Sequence, residues 1–192
     1  LLEPGDEVVT TNNLYGGSYR LFTSIFQKFG IKFHFVDMEN AQDIVEHIND
    51  HTKMIWIETP TNPMMNIIDI KAVSQISSKH KLILAVDNTF ATPYLQSPLD
   101  LGADIVMHSI TKYIGGHSDV VLGGLAVKDE ALAKKLYFIQ NEHVSSFYFL
   151  SFLLGCFFKG FLVSSLYSFL FLKICIPVKT ACLNEVSSAC PF

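Results

Sequence analysis

KLILAVDNTF, residues 81–90, runs five apolar residues together between a lysine and an aspartate. A strand with one face in water alternates apolar and polar side chains, whereas a strand covered on both faces need not. The unbroken run Leu82–Val86 therefore predicts a doubly covered strand, with Asp87 at its carboxyl end. Upstream, DIKAVSQISSKH (69–80) reads as a helix, and KMIWIE (53–58) as another buried strand closed by the turn TPTNP. Downstream, GADIVMHS (102–109) and VVLGGLAV (120–127) hold further strands, and DEALAKKLYFIQN (129–141) a helix.

Nearer the start, EVVTT (7–11) and IKFHFVD (31–37) read as strands. YGGSYRLFTSIFQKFG (15–30) between them reads as a turn opening a helix that stops at Gly30. ENAQDIVEHINDH (39–51) puts Ile44, Val45 and Ile48 on one helical face. Strands alternating with helices predict an α/β fold, a mainly parallel sheet with helices on both faces.

Composition divides the chain. All charged residues but Lys159, Lys173, Lys179 and Glu185 lie in residues 1–142, while all four cysteines lie beyond. The break predicts a domain over 1–142 and a separate hydrophobic, Cys- and Phe-rich tail over 143–192. A net charge of -4 without a Lys/Arg run gives no footprint for nucleic acid. The cysteine spacings, and the nine-residue spacing of His108 and His117, match no common zinc pattern, so no metal is expected. LLEPGDEVVTTNN has no basic stretch before an apolar run, so no signal peptide is expected there, and the first residue reads as the middle of a domain.

In open α/β sheets, ligands sit beyond the carboxyl ends of the strands. The strand ends and following loops here carry Tyr15, Glu58, Asn62, Asp87, Ser109, Thr111 and Lys112. A carboxylate at the end of an apolar strand needs a partner to stay ionised, and a protonated heterocyclic nitrogen is one. A desolvated lysine amine attacks carbonyls. A carbonyl-anchoring lysine with a ring-nitrogen aspartate is what pyridoxal phosphate requires. Ser109 and Thr111 are then candidate phosphate donors, and Tyr15 a flat surface for the ring. Each residue also has a plain structural reading. Asp-Asn-Thr is a common turn, Lys112 and Arg20 are ordinary surface charges, and Gly115, Gly116, Gly123 and Gly124 serve tight turns. Those glycines match neither the GxGxxG nor the GxxxxGK[ST] pattern.

The strings LYGGSYRLF, WIETPTNP, VDNTFATPYLQSPLDLGAD and HSITKYIGGHSDVVLGG occur in this order and close together. In them, residues 1–142 resemble the Cys/Met-metabolism (trans-sulfuration) family of pyridoxal-phosphate enzymes, which includes cystathionine γ-synthase and γ-lyase. The resemblance implies part of the large cofactor domain of a fold-type I transferase. It implies Lys112 as the lysine that forms an imine with the cofactor and later moves protons, and Asp87 as partner of the pyridine nitrogen. It further implies Ser109 and Thr111 at the phosphate, Tyr15 stacked on the ring, Asn62 near the phenolic oxygen and substrate carboxylate, and Arg20 near the distal end of the substrate. Glu58 belongs to the same motif without an implied step.

The glycines of YGGSYR stand where methionine γ-lyases have a cysteine, and with Arg20 and HSDVV they lean toward the cystathionine enzymes. The implied reaction is γ-replacement or γ-elimination on O-acyl-homoserine or cystathionine-type amino acids, in a cytoplasmic homotetramer. A keto-acid-exchanging aminotransferase is the competing enzyme class. Relatives also carry an amino-terminal arm, a phosphate-cradling glycine loop and a carboxy-terminal domain with a carboxylate-binding arginine, which these residues do not match. A catalytically inactive truncated product, or a membrane-associated one, is accordingly the alternative to an active enzyme. For 143–192 there are two expectations: a membrane-inserting segment interrupted by Lys159, and translated pyrimidine-rich non-coding sequence.

Overall fold

The structure, a computed structural model, describes residues 1–141 and the backbone of Cys175–Pro177. Its centre is a seven-stranded sheet: β1 (Glu7–Thr11), β2 (Lys32–Val36), β3 (Thr52–Glu58), β4 (Ile83–Asp87), β5 (Ile105–Ser109), β6 (Gly123–Val127) and β7 (Cys175–Pro177). The spatial order is β2-β1-β3-β4-β5-β6-β7. Every neighbouring pair is parallel except β5 with β6. The expected mainly parallel α/β sheet is therefore present. The readings of the 143–192 tail lie outside the described residues. Among the described residues, no helix is long and apolar enough to cross a membrane.

Both faces of the sheet are covered, as the apolar runs require. On one face Val9, Ile55, Ile57, Leu84, Val86 and Val106 pack against Ile70, Val73 and Ile76 of α2 (Ile70–His80). On the other, Val8, Phe33, Met54, Ala85, Ile105 and Val127 pack under Phe22 of α1 (Gly16–Ser24) and Ala133 of α4 (helical over 130–141). Phe22 stacks on Phe33 and meets Trp56 edge-on. Asp69 caps α2 by accepting the Ala72 N–H at 3.0 Å, and Lys81 closes it in a left-handed conformation. A short α3 (Thr92–Leu95) follows β4.

Two helices are shorter or tighter than their sequence patterns suggest. The segment expected to run as one helix to Gly30 is α1 followed by a 3-10 turn, Phe26–Phe29, which Gly30 ends at φ 85°. Residues Ala41–His47 form 3-10 turns rather than an α-helix. Asn40 caps them through Gln42 N–H, only Ile44 is buried, and Val45 faces solvent.

At the amino-terminal edge, Glu7 is buried and takes hydrogen bonds from Asn49 Nδ2 at 2.7 Å and Lys32 Nζ at 3.1 Å, and contacts His34 Nε2. These contacts hold its carboxyl down at about 2, with Asn49 contributing most.

Candidate active site

Parallel strands end together, so β3, β4 and β5 bring Glu58, Asp87 and Ser109 to one edge. Glu58 and Asp87 are in-register neighbours. Strand alternation puts Glu58, Asp87 and Ser109 on the face of Trp56, Ala85 and Ile105, the face that α1 covers. Thr59 N–H donates to Asp87 O at 3.4 Å and pulls the loop after β3 toward β4.

Asp87 is 5% exposed. Its Oδ1 accepts Thr89 N–H at 3.0 Å and Thr89 Oγ1–H at 2.6 Å. The same Thr89 oxygen accepts Ser109 N–H at 2.9 Å, so one hydroxyl links the ends of β4 and β5. Burial pushes the Asp87 carboxyl up, and the two Thr89 bonds oppose the shift. No cation pairs with it among the described residues, and Oδ2 takes no donor there. The plain turn reading of Asp-Asn-Thr is correct for Oδ1 and leaves Oδ2 free to hold a positively charged N–H.

Lys112 lies in the turn after β5. Its N–H donates to Ser109 O at 3.1 Å and its carbonyl accepts Gly116 N–H at 2.8 Å. The side chain is exposed and has no acid partner among the described residues. It lines an open cleft of about 620 Å³ with Phe90, Thr111, Tyr113, Ser118 and Asp119. Asp87 is not in that lining: the acid sits buried at the sheet edge, and the lysine stands out on the turn beyond it. The Thr111 hydroxyl donates to Leu122 O at 3.2 Å and accepts Leu122 N–H at 2.8 Å. Its one proton is therefore already committed to backbone. Gly116 has φ 74°, and a Cβ on Gly115 would come within 2.8 Å of Ile110 O, so this turn needs both glycines.

Tyr15 caps α1 and is 48% exposed. Its N–H donates to Glu58 Oε2 at 2.7 Å, which fastens the start of α1 to the end of β3. Its ring lies over Gly17 so closely that a Cβ there would overlap Tyr15 Cε1. Arg20 is exposed, and its guanidinium reaches back to within 3.5 Å of where a Gly16 Cβ would stand. Asn62 is half-buried in the loop after β3. Both its bond to Pro63 and that of Thr59 to Pro60 are cis. Glu58 is buried, and desolvation, more than the nearby Asp87 charge, raises its carboxyl to about 7 against the Tyr15 N–H bond.

Two residues at this edge escaped the sequence reading. Thr89 had a legible signal in the Asp-x-Thr turn. Gly17 had none, since nothing in the sequence says which glycine a ring lies over. His108 points away on the opposite face; burial lowers its pKa, and its Nδ1 has no partner among the described residues. His117 bonds Gly115 O through Nδ1 at 2.8 Å. Neither joins a metal-binding group among the described residues.

The sequence profile described as "Cys/Met metabolism PLP-dependent enzyme" matches residues 1–161. Cystathionine gamma-lyase of Dictyostelium discoideum is 52% identical over 142 residues, which are 74% of this chain and 37% of that protein. Cystathionine beta-lyase MetC of Bacillus subtilis (strain 168) is 50% identical over 141 residues, 73% of this chain and 36% of the relative. The crystal structure of cystathionine gamma-lyase from Lactobacillus plantarum complexed with L-serine superposes with a TM-score of 0.71 at 43% identity. It covers 73% of this chain and 37% of that one. The chain thus spans little more than a third of the length of these relatives.

Proposed function

For a chain that belongs to the Cys/Met metabolism family of PLP-dependent enzymes, we propose the part of a trans-sulfuration enzyme that holds pyridoxal phosphate. The reaction is γ-replacement or γ-elimination on cystathionine-type or O-acyl-homoserine amino acids. The observation that carries this reading is the junction of β4 and β5. A buried carboxylate on one strand end, with no cation beside it among the described residues, is bonded through Thr89 to the residue three before a lysine that has no acid partner among them.

The donor set fits the cofactor. Asp87 Oδ2 is free to hold a proton on a pyridine nitrogen, and a buried carboxylate without a cation favours a positively charged partner. Pyridoxal phosphate supplies a ring that takes up negative charge from the substrate carbon beside the amine. Lys112, exposed in the cleft, is the covalent anchor and then the base that carries the proton at that carbon. Tyr15 offers its ring face, held by Gly17 and Glu58. Ser109 donates to the phosphate; Thr111 does so only by releasing the Leu122 carbonyl. Asn62 and Arg20 bind the two ends of the amino-acid substrate. A homo-oligomeric assembly and a cytoplasmic setting come with the family resemblance, and residues 1–142 are proposed as the cofactor-domain unit.

Identity to a gamma-lyase and to a beta-lyase is nearly equal, so product analysis is the test of reaction type. Cleavage of cystathionine on the γ side yields cysteine, 2-oxobutanoate and ammonia; cleavage on the β side yields homocysteine, pyruvate and ammonia. The proposal expects the first set from the chain with pyridoxal phosphate, and none from Lys112→Ala. Keto-acid exchange without sulfur release would assign an aminotransferase instead.

A further inference from the structure

A second buried acid stands beside Asp87 without a role in the scheme above. Glu58 is 5% exposed, in register with Asp87 on the adjacent parallel strand, and on the same face of the sheet. Neighbouring strands lie about 4.8 Å apart. Two carboxylates this close in a desolvated edge do not both ionise freely. Their surroundings offer little compensation. On β1, Thr10 and Thr11 are uncharged; on β4 the charge is Asp87 itself; on the α1 segment the titratable and charged groups are the Tyr15 phenol and Arg20. Of these charges only that of Asp87 bears on Glu58, and it raises the Glu58 carboxyl. Among the described residues the one donor to Glu58 is the Tyr15 N–H at 2.7 Å.

We propose that Glu58 is a positioning residue: by accepting the Tyr15 amide it fixes the ring over the site, and through its own proton it sets the charge of its in-register neighbour Asp87. This rests on the reading of Asp87 as the partner of the pyridine nitrogen. With Glu58 protonated, Asp87 carries the pair's negative charge and is ready for a cationic ring. The Asp87 charge in turn holds the proton on Glu58. The pair then links the seat of Tyr15 to the ionisation of Asp87. A carboxyl that only braced the loop would supply the first half and not the second.

The test uses the full chain without cofactor, with ¹³C-labelled Asp and Glu carboxyls, in wild type, Asp87→Asn, Glu58→Gln and Glu58→Ala. NMR titration reads the Glu58 midpoint, and hydrogen exchange reads the Tyr15 amide. In Asp87→Asn the Glu58 midpoint falls, because the neighbouring charge is gone, while in Glu58→Gln the Tyr15 amide keeps an acceptor and its protection. In Glu58→Ala the Tyr15 amide exchanges about 2- to 13-fold faster, the scale of a lost hydrogen bond to a neutral acceptor. A Glu58 midpoint unmoved by Asp87→Asn overturns the coupling, and unchanged exchange in Glu58→Ala overturns the clamp. Should a variant fail to fold, the wild-type titration alone decides. Coupled steps for the two carboxyls support the proposal, and two independent titrations in the ordinary carboxylate range refute it. None of these readouts contains pyridoxal phosphate, so a chain with coupled carboxyls that takes up no cofactor at Lys112 refutes the proposed function. Uncoupled carboxyls beside a labelled Lys112 refute this inference alone.

Discussion

Gly17→Ala separates the stability of the fold from the geometry of the site. The new methyl would occupy the space of Tyr15 Cε1, so one of the two has to move. Tyr15 is 48% exposed, and its ring can swing into water without opening the core. The backbone change works the other way, since alanine is favoured over glycine inside a helix by up to about 1 kcal/mol. The net effect on folding is therefore within about 1 kcal/mol of zero. The ring, however, loses its seat. An aromatic stacking contact contributes about 0.5–1.5 kcal/mol, equal to about 2- to 13-fold in cofactor affinity. The assay is a pyridoxal phosphate titration followed by visible absorbance, run on wild type, Gly17→Ala, Tyr15→Ala and the double variant, with urea unfolding of each. The account expects unfolding midpoints close to wild type, weaker binding in both single variants, and a double variant no weaker than Tyr15→Ala. Wild-type affinity in Gly17→Ala would refute the reasoning, and so would losses that add in the double variant.

The two shifted glutamates act on stability in opposite directions. Glu7, held at about 2 against an ordinary 4.5, stabilises the fold fully above that ordinary value, and the contribution is lost as pH falls from about 4.5 to about 2. Glu58, raised to about 7, binds its proton more tightly folded than unfolded, so its contribution is lost as pH rises from about 4.5 to about 7. Denaturant midpoints measured across both windows check the signs, with Glu7→Gln and Glu58→Gln each flattening its own limb. Thr89→Val removes the hydroxyl donor to Asp87 and leaves the Ser109 N–H without its acceptor. It should cost about 1–3 kcal/mol in urea unfolding and raise the Asp87 midpoint further in a carboxyl NMR titration. Gly102→Ala puts a Cβ within 2.6 Å of Ser74 Oγ at a φ of +103°. A loss of at least about 1–2 kcal/mol is expected, and unchanged unfolding would show that β5 and α2 relax apart there.

Much of the fold was legible because it rests on long, strongly patterned segments. Leu82–Val86 without alternation, and the apolar stripe of α2 behind Asp69, leave few arrangements other than a doubly covered parallel sheet. The misreadings fall where tertiary geometry overrides local pattern. Val45 had the right spacing for a helix face, but Ala41–His47 forms 3-10 turns whose geometry buries Ile44 alone and leaves Val45 in solvent. The antiparallel placement of β6 was equally hidden, since the turn at Gly115 and Gly116 that permits it looks like any glycine-rich loop. At the site, residue types and strand ends were readable, because a parallel sheet brings Glu58, Asp87 and Ser109 to one edge whatever the helices do. Hydrogen-bond assignments were not readable. Nothing in SITK says that the Thr111 proton goes to Leu122, and nothing in YGGSYR says that Gly17 supports a ring. Such facts depend on ångström distances between segments remote in sequence, as with Tyr15 and Glu58, 43 positions apart.

The direct measurement of the central claim is a covalent one. The chain is mixed with pyridoxal phosphate and reduced with borohydride, and the modified lysine is located by peptide mapping in wild type, Asp87→Asn and Lys112→Ala. The account predicts one dominant label, on Lys112, weakened in Asp87→Asn and absent at every site in Lys112→Ala. A label spread over exposed lysines such as Lys53, Lys71 and Lys134, with no enrichment at Lys112 and no response to Asp87, would contradict it.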